Sequence, residues 1–83
     1  MSNYIVRTIS KWSGTVTTTT VDGCSTMEEA LNLMESHRKE EQSLVDADWC
    51  HVTGFNITVD EKCDDGVHTI ASVKGGKYDD MAL

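Results

Sequence analysis

The residues able to do chemistry are few. Three cysteines (Cys24, Cys50 and Cys63) and three histidines (His37, His51 and His68) are the nucleophiles, bases and soft metal ligands of the chain. Their spacing argues against a metal centre. Structural zinc is held by short paired spacings, and the sequence contains no Cys-x-x-Cys and no His-x-x-x-His. Cys50 and His51 are adjacent, and neighbouring strand residues point to opposite faces. The expectation is therefore no metal and no cofactor. A Cys–His nucleophile pair can be written from any of these residues. Cys24 is the best placed, because it precedes a helix start and a helix N-terminus lowers a thiol pKa; a small residue in a turn is the plainer reading. Gly66 and the pair Gly75-Gly76 precede no helix, so no phosphate-cradling loop is present. The run Asp60-Glu61-Lys62-Cys63-Asp64-Asp65-Gly66 departs from a calcium loop, with Lys62 at the third ligand position and glycine at the seventh. It reads as a hairpin turn. No catalytic residues are assigned.

Carboxylates are the more abundant chemistry. Fourteen acids against seven bases give a formal net charge of −7, which argues against direct binding of a phosphate backbone. The charge is unevenly placed. Up to Lys39, Asp22, Glu28, Glu29 and Glu35 balance Arg7, Lys11, Arg38 and Lys39, so the whole excess follows from Glu40 onward. There the acids come as pairs: Glu40-Glu41, Asp46 with Asp48, Asp60-Glu61, Asp64-Asp65 and Asp79-Asp80. Solvated loops account for such pairs; an electronegative face that meets a basic partner is the sharper reading. Of the aromatic residues, Trp12 and Trp49 suit a core or an interface anchor. Trp49, flanked by Asp46, Asp48 and His51, is the preferred anchor. The candidate partner-binding set is thus Glu40, Glu41, Asp46, Asp48, Trp49, Asp60, Glu61, Asp64 and Asp65.

The elements that position these residues follow from composition and period. Tyr4 to Trp12 and Thr15 to Val21 are rich in β-branched and aromatic residues. Ser13-Gly14 between them is a two-residue turn signal, and Asp22-Gly23 closes the hairpin. A capping box, Ser25 with Glu28 or Thr26 with Glu29, starts a helix. Met27, Ala30, Leu31 and Met34 form its apolar stripe, and its end is expected between His37 and Gln42, with Arg38 and Lys39 near the C-terminus favoured by the macrodipole. Trp49 to Val59 forms a strand with a bulge or bend at Gly54. After the turn at Asp64-Asp65-Gly66, Val67 to Val73 forms the last strand, stopped by Lys74-Gly75-Gly76. The fold class is α+β: β-β-α-β-β, an antiparallel sheet with one helix on one face and the other face in water or against a partner.

Eighty-three residues make one domain, 1–83, with 77–83 expected as a flexible tail. No apolar run approaches the ~20 residues that span a bilayer. The start lacks a basic segment followed by an apolar one, and three widely spaced cysteines do not form a disulfide framework. A cytoplasmic protein is expected.

In its small size, acidity and one helix on an antiparallel sheet, the chain resembles the small inhibitors encoded by phages and mobile elements, such as anti-CRISPR proteins. The resemblance lies in architecture and charge, so no functional residues are carried over. It implies stoichiometric inhibition in a host cytoplasm: the acidic face docks on the basic nucleic-acid-binding surface of a host defence complex. The partner is then a protein or nucleoprotein with a basic surface, not nucleic acid itself and not a membrane. Two alternatives stand beside it. One is a thiol-dependent enzyme or redox protein built on Cys24 or Cys50. The other is a structural or regulatory subunit, homodimeric or not, that pairs through the uncovered sheet face or an edge strand.

Overall fold

The β-branched and aromatic run from Tyr4 to Trp12 and the apolar–polar alternation from Phe55 to Val59 both favour strands, and the fold pairs the two segments. In the computed structural model, which describes residues 3–12, 17–47 and 52–76, β1 (Tyr4–Trp12), β2 (Thr17–Cys24), β3 (Val52–Cys63) and β4 (Gly66–Gly76) form one antiparallel sheet of order β2-β1-β3-β4. Helix α1 (Met27–Asp46) lies between β2 and β3 in sequence and packs mainly on β3 and β1. The expected β-β-α-β-β order is observed.

Register assigns the faces. Four cross-strand rows point towards the helix: Cys24-Tyr4-Glu61-His68, Asp22-Val6-Val59-Ala71, Thr20-Thr8-Ile57-Val73 and Thr18-Ser10-Phe55-Gly75. The core is Val6, Phe55, Ile57 and Val59 from the central strands with Cys24 and Ala30, flanked by Tyr4, Leu33, Met34, Val45, Ala71 and Val73. The opposite rows, among them Val21-Arg7-Thr58-Ser72 and Thr19-Ile9-Asn56-Lys74, form a sheet face that no described element covers.

Several boundaries differ from the sequence expectation. Strand β2 runs through Asp22-Gly23 to Cys24, because these residues pair with Val6, Ile5 and Tyr4 and the Cys24 carbonyl accepts from the Asn3 amide at 3.0 Å. The helix continues to Asp46. Its later turns hold residues of good helix propensity, Glu41 and Val45 turn inward, and Gln42 donates to Asp46 at 2.9 Å. Arg38 and Lys39 therefore sit mid-helix, and the last turn has no base to meet the macrodipole. The inward stripe is Ala30, Leu33, Met34, His37, Glu41 and Val45; Met27 and Leu31 are exposed. Of the two capping registers, Thr26 is the N-cap: its hydroxyl accepts from the Glu29 amide, and the Glu29 carboxylate accepts from the Ser25 amide, both at 3.2 Å.

The bulge expected at Gly54 is present, with the register of β1 against β3 shifting between Lys11 and Trp12 and leaving Thr53 unmatched beside it. A second irregularity, between Val59 and Asp60, leaves Ile70 of β4 unmatched. It breaks the simple alternation expected there. Ala71 and Val73 join the core, whereas Val67 falls on the uncovered face and is 58% exposed. The turn at Asp64-Asp65 closes the β3–β4 hairpin as expected, with Gly66 at φ 134°. Strand β4 then runs on through Gly75 and Gly76, pairing with Phe55 and Gly54. Among the described residues no helix is long and apolar enough to cross a membrane.

Candidate protein-binding surface

The helix carries the largest exposed group of carboxylates that one described element presents. A 20-residue helix is about 30 Å long. The 3.6-residue repeat puts Glu28, Glu35 and Asp46 on its outward stripe, together with Lys39, and Glu29 and Glu40 flank that stripe; all six are exposed. Three of the acids have local partners. Glu35 accepts from Arg38 at 2.6 and 2.9 Å, and this pairing holds the Glu35 carboxyl below its ordinary range and raises the Arg38 guanidinium. Glu29 is the capping residue described above. Glu28 and Glu40 face solvent, and Asp46 accepts from Gln42.

Other members of the sequence-derived set are dispersed. Glu41 is buried beneath the helix, where its carboxylate accepts from the Ser10 hydroxyl. Its neighbour Glu40 is exposed, because adjacent helix positions lie about 100° apart. Asp60 is buried on the uncovered sheet face, where it accepts from the Thr69 hydroxyl at 2.6 Å and lies 3.6 Å from the Arg7 guanidinium. Glu61, one residue later, points to the helix side and accepts from the Tyr4 hydroxyl at 3.0 Å, which raises the Tyr4 pKa. Asp64 and Asp65 are exposed at the hairpin turn. Asp48, the proposed anchor Trp49 and the Cys50-His51 pair lie outside the described residues. Trp12 is half-buried, and its indole N–H donates to the Thr18 hydroxyl at 3.0 Å.

The division of charge in sequence is thus not a division in space. Glu40, Glu41 and Asp46 share the helix with Glu28, Glu29 and Glu35 from the neutral half, while the acids from Asp60 to Asp65 lie on β3 and its hairpin turn, at the end of the sheet where the helix begins. Faces, rather than sequence halves, carry the signs. The uncovered sheet face has Arg7, Lys11, Lys62 and Lys74 in its rows, with the buried Asp60 as its carboxylate among the described residues. Strand alternation put these bases together, a signal readable once the register was known.

Of the thiols in the rival reading, Cys24 lies among the described residues. Cys24 is buried at the end of β2, and burial first, then Glu29 and Asp22, pushes its thiol up. Desolvation and two nearby acids outweigh the helix N-terminus there. Cys63 is exposed, and its thiol is also raised, chiefly by donating to the Glu61 carboxylate at 3.3 Å. The fold does bring one Cys–His pair together: Cys63 and His68 meet at the β3–β4 hairpin with Asp65. The thiol hydrogen there is directed at a carboxylate instead of the imidazole, which favours the neutral thiol over the thiolate that a nucleophile needs.

No protein-family model matches the chain, and neither a curated protein nor a solved structure matches it.

Proposed function

We propose that the chain is a small protein-binding inhibitor that presents its acidic helix to a basic, nucleic-acid-binding surface of a cytoplasmic protein or nucleoprotein, the host's if the chain is phage-encoded. The observation that carries this reading is the outward row of exposed carboxylates along α1. Five exposed acids against Arg38 and Lys39, with buried Glu41 left out, leave the helix surface at −3 over its length, about one net charge per 10 Å at 1.5 Å per residue. One DNA strand carries a charge every ~3.4 Å. The helix therefore falls short of a duplex in charge density, and its role is steering and docking on a basic protein surface, with no copy of the phosphate track required.

The test is capture from lysate at low and high salt, with nucleic acid added as competitor. Wild-type chain should retain a nucleic-acid-binding protein, release it at high salt, and compete with nucleic acid for it. The triple variant Glu28→Lys, Glu40→Lys, Asp46→Lys should lose that partner while keeping its helical circular dichroism. Equal capture by the triple variant would overturn the proposal.

A second reading is favoured by the uncovered sheet face, where Val21 is 56% exposed beside half-buried Ile5 and Ile9. On that reading the chain is a subunit that pairs through this face with a second copy. Sedimentation equilibrium decides it: Val21→Lys should dissociate such a dimer, and a monomeric wild-type chain excludes it.

A further inference from the structure

The tip of the β3–β4 hairpin gathers four donors from the short stretch Glu61 to His68. Glu61 and His68 are cross-strand partners, Cys63 follows Glu61 by two residues and so shares its face, and Asp65 sits in the turn that reverses the chain. The donor atoms of Cys63, Asp65 and His68 all lie within 4.8 Å of one another. Two separations are shorter: His68 Nε2 is 3.0 Å from Asp65 Oδ1, and Cys63 Sγ is 3.3 Å from Glu61 Oε1.

We propose that this tip is a zinc site, with the Cys63 thiolate, the His68 imidazole and the Asp65 and Glu61 carboxylates as its four ligands. Bond lengths of ~2.0–2.3 Å in a tetrahedron set ligand–ligand edges of roughly 3.3–3.8 Å. The two shorter separations lie at or just below the lower end of that range, and the others among Cys63, Asp65 and His68 do not exceed 4.8 Å, so small rotations of these three exposed side chains bring their donors to one ion, with half-buried Glu61 beside Cys63. One thiolate and one imidazole select zinc over the hard cations calcium and magnesium. Four protein ligands leave no open position, so the metal would clip the hairpin and not catalyse.

The surroundings fit a cation. Glu61 is oriented by the Tyr4 hydroxyl on its other oxygen, Oε2, at 3.0 Å, the outer-sphere contact that holds a ligating carboxylate in place. Asp60 takes no part, since it points to the opposite face against Arg7 and Thr69. Sequence spacing hides such a site because paired-ligand motifs describe turns and helices, whereas here one strand, its turn and the returning strand each supply donors.

Cobalt substitution of the full chain tests the proposal. Titration with Co2+ should give one equivalent per chain with a thiolate-to-cobalt charge-transfer band, displaced stoichiometrically by Zn2+ and not by Ca2+. Cys63→Ser should abolish the band, His68→Gln and Asp65→Asn should each weaken affinity at least about tenfold, and Tyr4→Phe roughly tenfold through the outer sphere. Cys24→Ser should leave it unchanged. Each variant is checked by circular dichroism, since Cys63, Asp65 and His68 are exposed whereas Tyr4 packs against the core and Cys24 is buried in it. Absence of the band, its survival in Cys63→Ser, or displacement by Ca2+ would each overturn the assignment.

Discussion

Substituting Gly75 by alanine should destabilise the fold through one identifiable collision. A Cβ at this position would lie 2.6 and 2.7 Å from Cε1 and Cζ of Phe55 and 3.1 Å from Oε1 of Gln42. Ordinary carbon contacts are ~3.5–4.0 Å, so the added methyl intrudes by about 1 Å. Phe55 is 1% exposed and has little room to withdraw, with the sheet beneath it and α1 above. Overpacking of this kind costs about 1–3 kcal/mol. The φ of Gly75 is not in the left-handed region, so alanine adds no backbone strain, and its smaller unfolded-state entropy returns ~0.4–1 kcal/mol. The net loss is about 1–2 kcal/mol, roughly 5–15 °C in Tm for a domain of this size. Urea unfolding followed by far-ultraviolet circular dichroism measures it. The mechanism is specific because it names the ring: in a Phe55→Leu background, Gly75→Ala should cost at least about 1 kcal/mol less. Unchanged or increased stability in the single variant, or an undiminished cost once the ring has been removed, would refute the reasoning.

Four further outcomes follow from the same structure. Ser10→Ala should cost ~1.5–3 kcal/mol, because it leaves the buried Glu41 carboxylate without its hydroxyl donor; urea midpoints check it, and a loss below half a kcal/mol would contradict the burial of Glu41. Thr26→Ala removes the N-cap acceptor of Glu29 and should cost about 1 kcal/mol, with Thr26→Asp retaining most of it. The raised Cys24 thiol predicts the sign of one pH effect. Its folded pKa exceeds the unfolded one, so its contribution is complete below the ordinary thiol pKa of about 8.5 and is lost as pH rises past it towards the folded value. Stability should fall on the alkaline side, and Cys24→Ala should flatten that limb. In the metal-free protein at neutral pH, iodoacetamide should modify exposed Cys63 under native conditions and buried Cys24 only on opening; peptide mass mapping over time distinguishes the two.

The element order was legible because each segment announced itself locally: β-branched runs for the strands, a Thr-x-x-Glu cap for the helix, Asp-Asp-Gly for the hairpin. What escaped was tertiary. Leu31 looked like core by period, but the helix is rotated so that Leu33, His37 and Glu41 turn inward with Ala30. Glu41 read as a surface acid because nothing local shows that Ser10 waits beneath it. Asp60 and Glu61 read as one acidic pair, yet strand geometry sends them to opposite faces, one against Arg7 and the other against Tyr4. The bulge at Ile70 changed which side Val67 takes. The basic composition of the uncovered face and the gathering of Cys63, Asp65 and His68 both depend on register, which no single segment encodes.

A docking surface on the acidic helix makes the two faces of the molecule respond differently to charge reversal. The most direct measurement compares binding of the captured partner to two variants, one on each side of the sheet. Glu28→Lys with Glu40→Lys and Asp46→Lys should weaken affinity at least about tenfold, or ~1.4 kcal/mol, and flatten its salt dependence, while Val21→Lys on the uncovered face should bind as the wild type does. Loss of binding in Val21→Lys with full affinity in the helix variant would place the interface on the uncovered sheet face and overturn the docking role of the helix.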